Sequence, residues 1–111
     1  MPGKYLVTLD EYLNDRDREY PLDKTKFANC IKLLVAINFL RERYGRPLIV
    51  VSGYRPGRYN LQAGGAISSP HLSCEAVDLG DAKHELRNYL LGHLELLVEL
   101  DLYMEDPSYT P

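Results

Sequence analysis

Between Lys24 and Tyr44 the apolar residues Phe27, Ile31, Leu34, Ile37 and Leu40 recur at intervals of three and four, with Ala28, Val35 and Ala36 beside them. That spacing puts them on one face of an α-helix, and a helix this long with one apolar face has to be packed against the rest of the chain. Its limits are written in side-chain chemistry. Asp23 or Thr25 can accept the first free amides. Gly45 followed by Pro47 supplies the stop, because glycine takes up the left-handed cap and proline cannot extend the amide ladder. Cys30 lies on the apolar face and reads as a small core residue. Arg41, Glu42 and Arg43 are expected to face solvent.

A chain of 111 residues is the size of one domain with one core, so residues 1–111 are read as a single domain. Thr8-Leu9-Asp10-Glu11 has the form of a capping box and opens a short helix through about Asn14. The run Asp15-Arg16-Asp17-Arg18-Glu19 alternates in sign and reads as solvated surface. After the long helix, Leu48-Ile49-Val50-Val51-Ser52 is a β-branched run between turn residues, hence a buried strand. Residues 53–66 read as loop. Ala76-Val77-Asp78-Leu79 alternates, which predicts a second strand with Val77 and Leu79 on one face and Asp78 on the other. Asp81 is placed to cap a helix over 82–99 whose inward stripe is Leu86, Leu90, Leu94 and Leu97. Leu102-Tyr103-Met104 reads as a third strand. This order of elements predicts an α+β domain around a small sheet.

Composition removes several function classes. The residues are 45% hydrophobic and 26% charged, and the net charge is −3, so no basic surface for nucleic acid is expected. No apolar run approaches the roughly 18 residues that would span a bilayer. The N-terminal MPGKYLVTLDEYL lacks the basic start and apolar core of an export signal, so a cytoplasmic origin is expected. Cys30 and Cys74 are too few and too far apart to read as a disulfide framework.

The chemistry concentrates between Ser52 and Asp81. His71 in a loop and Asp78 on a strand are two of the ligand types that a catalytic Zn²⁺ takes, such a site using three protein ligands and one open position. By spacing alone the pair is indistinguishable from a structural one. Around it, Ser52-Gly53-Tyr54-Arg55, Tyr59-Asn60, Gly64-Gly65-Ala66, Ser69-x-His71-Leu72 and Ala76-Val77-Asp78 occur together and in this order. That combination resembles the zinc D-alanyl-D-alanine carboxypeptidases and the related phage and bacterial peptidoglycan peptidases, which share a fold with the Hedgehog signalling domain. The resemblance implies a small antiparallel sheet packed against helices, with Zn²⁺ held by His71 and Asp78. It implies that Arg55 lines the site and stabilises substrate or developing negative charge, with Tyr54, Asn60 and Ser69 on the substrate side. The substrate it implies is a stem or cross-link peptide of peptidoglycan. For a phage protein, virion components are further partners, and the wall is reached from a virion or at lysis.

Two positions depart from the family pattern. Cys74 stands where the family has glycine between the ligands, and either accommodates an altered backbone angle or brings a thiol toward the metal. The family's third ligand is a His on a strand following a segment like Leu102-Tyr103-Met104, and this chain has no such His. His84 and His93 fall in the second helix and read as surface residues. Glu105 and Asp106 are the nearest carboxylates, as substitute ligand or as the base that takes a proton from the attacking water, Glu105 being the candidate base. Two readings follow: a zinc metallopeptidase, or a catalytically inactive peptidase-like module with a structural or wall-binding role.

Overall fold

The computed structural model describes residues 6–64 and 69–104. Thr8 opens α1 (Leu9–Leu13) with both halves of the capping box made: its hydroxyl accepts from the Glu11 amide at 3.2 Å, and its own amide donates to the Glu11 carboxylate at 3.1 Å. This short helix delivers Tyr12 and Leu13 to the core. Helix α2 (Lys24–Tyr44) begins where the Asp23 carboxylate accepts from the Lys26 amide at 2.7 Å and ends at a left-handed Gly45, φ 77°. Asn38 holds the segment before α1 against it, accepting from the Val7 amide at 2.8 Å and donating to the Val7 carbonyl at 3.0 Å.

The buried stripe of α2 is Cys30, Leu34, Ile37, Leu40 and Arg41, which corrects the expected face at both ends. Phe27 and Ile31 are 49% and 41% exposed, because Asn29 and Cys30 are the residues turned toward the neighbouring chain segment, Asn29 Nδ2 donating to the Ser73 carbonyl at 3.1 Å. Arg41 is buried rather than solvated. It falls four residues after Ile37 and so lies on the same stripe.

Strands β1 (Val50–Ser52) and β2 (Asp78–Leu79) pair antiparallel, Val50 opposite Leu79 and Ser52 opposite Asp78, with an irregularity between. Val77 and Leu79 pack against the core while Asp78 faces outward, as the alternation predicts. Two strands alone are marginal in water, so the helices support the sheet, and the architecture is the expected α+β one.

Elsewhere the segmentation differs from expectation. The stretch read as loop contains α3 (Gly57–Gln62), too short for its periodicity to register. The helix expected over 82–99 is two, α4 (Glu85–Leu91) and α5 (Leu94–Glu99). Gly92 and His93 break it, which shifts the register so that Leu96 is buried and Leu94 is 52% exposed. Asp81 does cap α4, across three intervening residues, accepting from the Leu86 and Arg87 amides at 2.9 and 2.8 Å. Leu102–Met104 forms no strand. A left-handed Asp101 (φ 56°) turns the chain at the end of α5 and the Leu102 amide donates to the Leu97 carbonyl at 2.8 Å, so it is not free for a ladder. No helix among the described residues is long and apolar enough to cross a membrane.

Candidate active site

Three segments meet: the end of β1 running into Gly53–Arg55, a 3-10 turn over Pro70–Ser73, and Asp78 at the start of β2. Gly53 is required by close approach. A Cβ there would lie 2.4 Å from the Tyr12 carbonyl oxygen and 2.5 Å from its ring, a contact only glycine avoids. The Tyr54 amide then donates to the Tyr12 carbonyl at 3.1 Å. Tyr54 itself is fully buried, its hydroxyl donating to the Tyr20 carbonyl at 2.9 Å, and Arg16 Nη1 donates to the Tyr54 carbonyl at 2.8 Å. The backbone that presents Arg55 is thus held on both sides. Arg16, read from sequence as solvated, is partly buried and lies 4.5 Å above the Tyr59 ring.

The His71 turn is built the same way. Ser69 caps it, its hydroxyl accepting from the His71 amide at 3.2 Å, and Pro70 takes the first position. The Arg55 amide donates to the His71 carbonyl at 3.0 Å, stitching the two segments together. The His71 ring is buried, with Nδ1 2.8 Å from the Gly53 carbonyl oxygen. A carbonyl can only accept, so Nδ1 carries the proton. That leaves Nε2 facing Asp78 Oδ1 at 3.4 Å, while Arg55 Nη1 stands 3.6 Å from Oδ2 of the same carboxylate. Asp78 is half exposed, so the site opens to solvent. Hydrogen bonding from His71 holds its carboxyl below the ordinary carboxylate range, the charges of His71 and Arg55 adding to this and partial burial opposing it.

In the neutral ring, Nε2 and the carboxylate are two lone-pair donors aimed at each other, an arrangement that suits a metal cation between or beside them. The Nδ1 bond to a main-chain carbonyl is the outer-shell contact that orients metal-binding imidazoles. The pair therefore fits a zinc ion as two donors. Among the described residues no group of three or more His, Cys, Asp and Glu is placed to hold a metal.

Of the other residues singled out from sequence, Asn60 is buried on α3 and Gly64 is left-handed at φ 73°. His84 is exposed at the start of α4, and His93 stacks on the Tyr89 ring at a centroid distance of 4.1 Å. Neither joins His71. Cys74 adopts the left-handed conformation (φ 63°, ψ 33°) that its glycine-like position demands, and its thiol is fully buried. Glu105, Asp106, Gly65 and Ala66 lie outside the described residues. The Gly53 carbonyl, which sets the His71 tautomer, had no signature beyond its place in the Ser-Gly-Tyr-Arg turn, and Tyr12 had none. A cleft of about 570 Å³ includes Tyr54, Pro56 and Leu72 in its lining together with Tyr20 and Lys26, but not Arg55, His71 or Asp78. It neighbours the site without containing it.

A family model described as Peptidase M15 matches residues 9–93, a span that encloses Arg55, His71 and Asp78. No match was found among curated proteins or solved structures.

Proposed function

Since the chain belongs to the M15 peptidase family, we propose that it is a zinc-dependent peptidase that hydrolyses stem or cross-link peptides of peptidoglycan. The observation that carries this reading is the convergence of His71 Nε2, the Asp78 carboxylate and the Arg55 guanidinium, with the His71 ring oriented by its Nδ1 bond to the Gly53 carbonyl and the Arg55 amide tied to the His71 carbonyl. Zinc would be held by His71 and Asp78, and when bound supplies Lewis acidity toward a scissile carbonyl and an attacking water. The Gly53 carbonyl keeps the proton on Nδ1 and so keeps Nε2 available as a donor.

Arg55 has the substrate-side role. Its side chain is 15% exposed and one nitrogen contacts Asp78. The rest of the guanidinium can grip a peptide carboxylate in two-point fashion or stabilise an oxyanion. Tyr54, Asn60 and Ser69 are assigned to the substrate side as supports rather than direct contacts: the Ser69 hydroxyl accepts from the His71 amide, the Tyr54 hydroxyl donates to the Tyr20 carbonyl, and Asn60 is buried. Glu105 is assigned as the carboxylate that takes the proton from the attacking water and returns it to the leaving amine. Virion components and release at lysis are the proposed route by which such a chain meets the wall.

The second reading, an inactive wall-binding or structural module, is favoured by the presence of only two donor residues among those described. Zinc content and hydrolysis of purified muropeptides separate the two. A peptidase retains close to one equivalent of zinc and releases products, and His71→Ala abolishes both. A protein that holds well under one equivalent and leaves muropeptides intact, while still sedimenting with cell walls, is the module.

A further inference from the structure

We propose that Cys30 and Cys74 form an intramolecular disulfide when the protein meets a disulfide oxidant, joining α2 covalently to the turn that carries His71. These are the only two cysteines of the chain, and in this structure both are free and fully buried. One lies on the buried stripe of α2 and the other ends the Pro70–Ser73 turn. Each thiol is the first influence on the other's ionisation, as expected of two side chains buried side by side. The adjacent pair in sequence, Asn29 and Ser73, is bonded across this junction at 3.1 Å, so helix and turn are held in register at the positions next to both cysteines. Cys74 is moreover left-handed, a conformation that glycine would adopt at lower cost. Glycine there would leave Cys30 without its partner.

The reaction is a thiol–disulfide exchange with a small disulfide such as oxidised glutathione, admitted by local opening of the turn. Cys30 is the first nucleophile. Its thiol is pulled down by the neighbouring Cys74, whereas Cys30 and burial push Cys74 up. The Cys30 thiolate attacks one sulfur of the reagent, whose S–S bond breaks and releases one thiolate that takes up a proton. Cys74 then gives its proton to solvent and displaces the second thiol from Cys30. Two protein thiols are oxidised and one small disulfide is reduced to two thiols. Conditions outside a reducing cytoplasm favour the product. The cross-link does not depend on which peptide the site cleaves.

The test uses the full chain, incubated with oxidised glutathione, alkylated in denaturant and digested without reduction. Expected are a linked Cys30–Cys74 peptide from monomeric protein, a thermal midpoint that rises and returns on adding dithiothreitol, and slower amide exchange over residues 70–74. Cys30→Ser should lose the reductant-dependent midpoint shift. The proposal is overturned if folded wild-type protein keeps two alkylatable thiols after oxidation, acquires only glutathione adducts, or links between molecules, or if Cys30→Ser retains the shift.

Discussion

Gly53 shows how a residue without a side chain governs the chemistry of one that has one. Its carbonyl receives the His71 proton, and its missing Cβ lets β1 run against Tyr12. Gly53→Ala is therefore expected to destabilise the fold by about 1–3 kcal/mol through forced displacement and, on the proposed zinc site, to weaken metal affinity by about 10–100-fold through loss of ring orientation. Denaturant titration and zinc titration read the two effects separately. The buried phenols set a second expectation. Burial, with nearby thiols and carboxylates adding to it, pushes Tyr54 from 10.0 up to about 12, and Tyr12 is raised further. A raised value means that the fold favours the neutral phenol. This contribution is complete below pH 10 and is lost as pH rises toward about 12. Urea midpoints should fall across that window, and Tyr54→Phe should flatten the fall; an unchanged slope in the variant would count against the assignment.

At the scale of elements, Asp81 does the most with one side chain. It caps α4 across a three-residue gap by accepting from two amides, so Asp81→Ala should cost about 1 kcal/mol, within a range of roughly 0.5–2, with lost helicity visible by circular dichroism. Local chemistry made several elements legible in the sequence: Thr8 and Glu11 for α1, Asp23 and Gly45 for the limits of α2, and the Val77–Leu79 alternation for β2. What stayed hidden was decided by contacts distant in sequence. Nothing in the apolar spacing says that Asn29 and Cys30 rather than Phe27 and Ile31 meet the His71 turn, and position 41 carries an Arg where the stripe continues inward. The 82–99 pattern holds leucines enough for one helix, and only the break at Gly92 and His93 divides them. In the candidate site, His71, Asp78 and Arg55 were legible as residue types in a pattern. Their mutual distances and the main-chain groups that aim them were not.

At the scale of the whole molecule, the sheet formed among the described residues has two short strands and little stability of its own. The site it carries therefore depends on the helical core, where Leu40 is 2% exposed. Leu40→Ala is expected to cost about 2–5 kcal/mol, and on the proposed zinc site metal affinity should disappear at the same denaturant concentration as helical structure; loss of affinity well before the helices melt would show that the site unfolds on its own. The outer face of α2 is different: Phe27, Ile31, Val35 and Phe39 repeat every four residues and are 41–56% exposed. Val35→Lys on that face should change stability by no more than about 0.5 kcal/mol.

The main-chain bond between the Arg55 amide and the His71 carbonyl has a consequence for engineering. Because neither atom belongs to a side chain, replacing Arg55 with lysine or glutamine leaves the join between the two segments in place. Position 55 can therefore be varied without breaking the main-chain tie that aims the imidazole, and what changes at the site is the contact between the side chain at 55 and the Asp78 carboxylate.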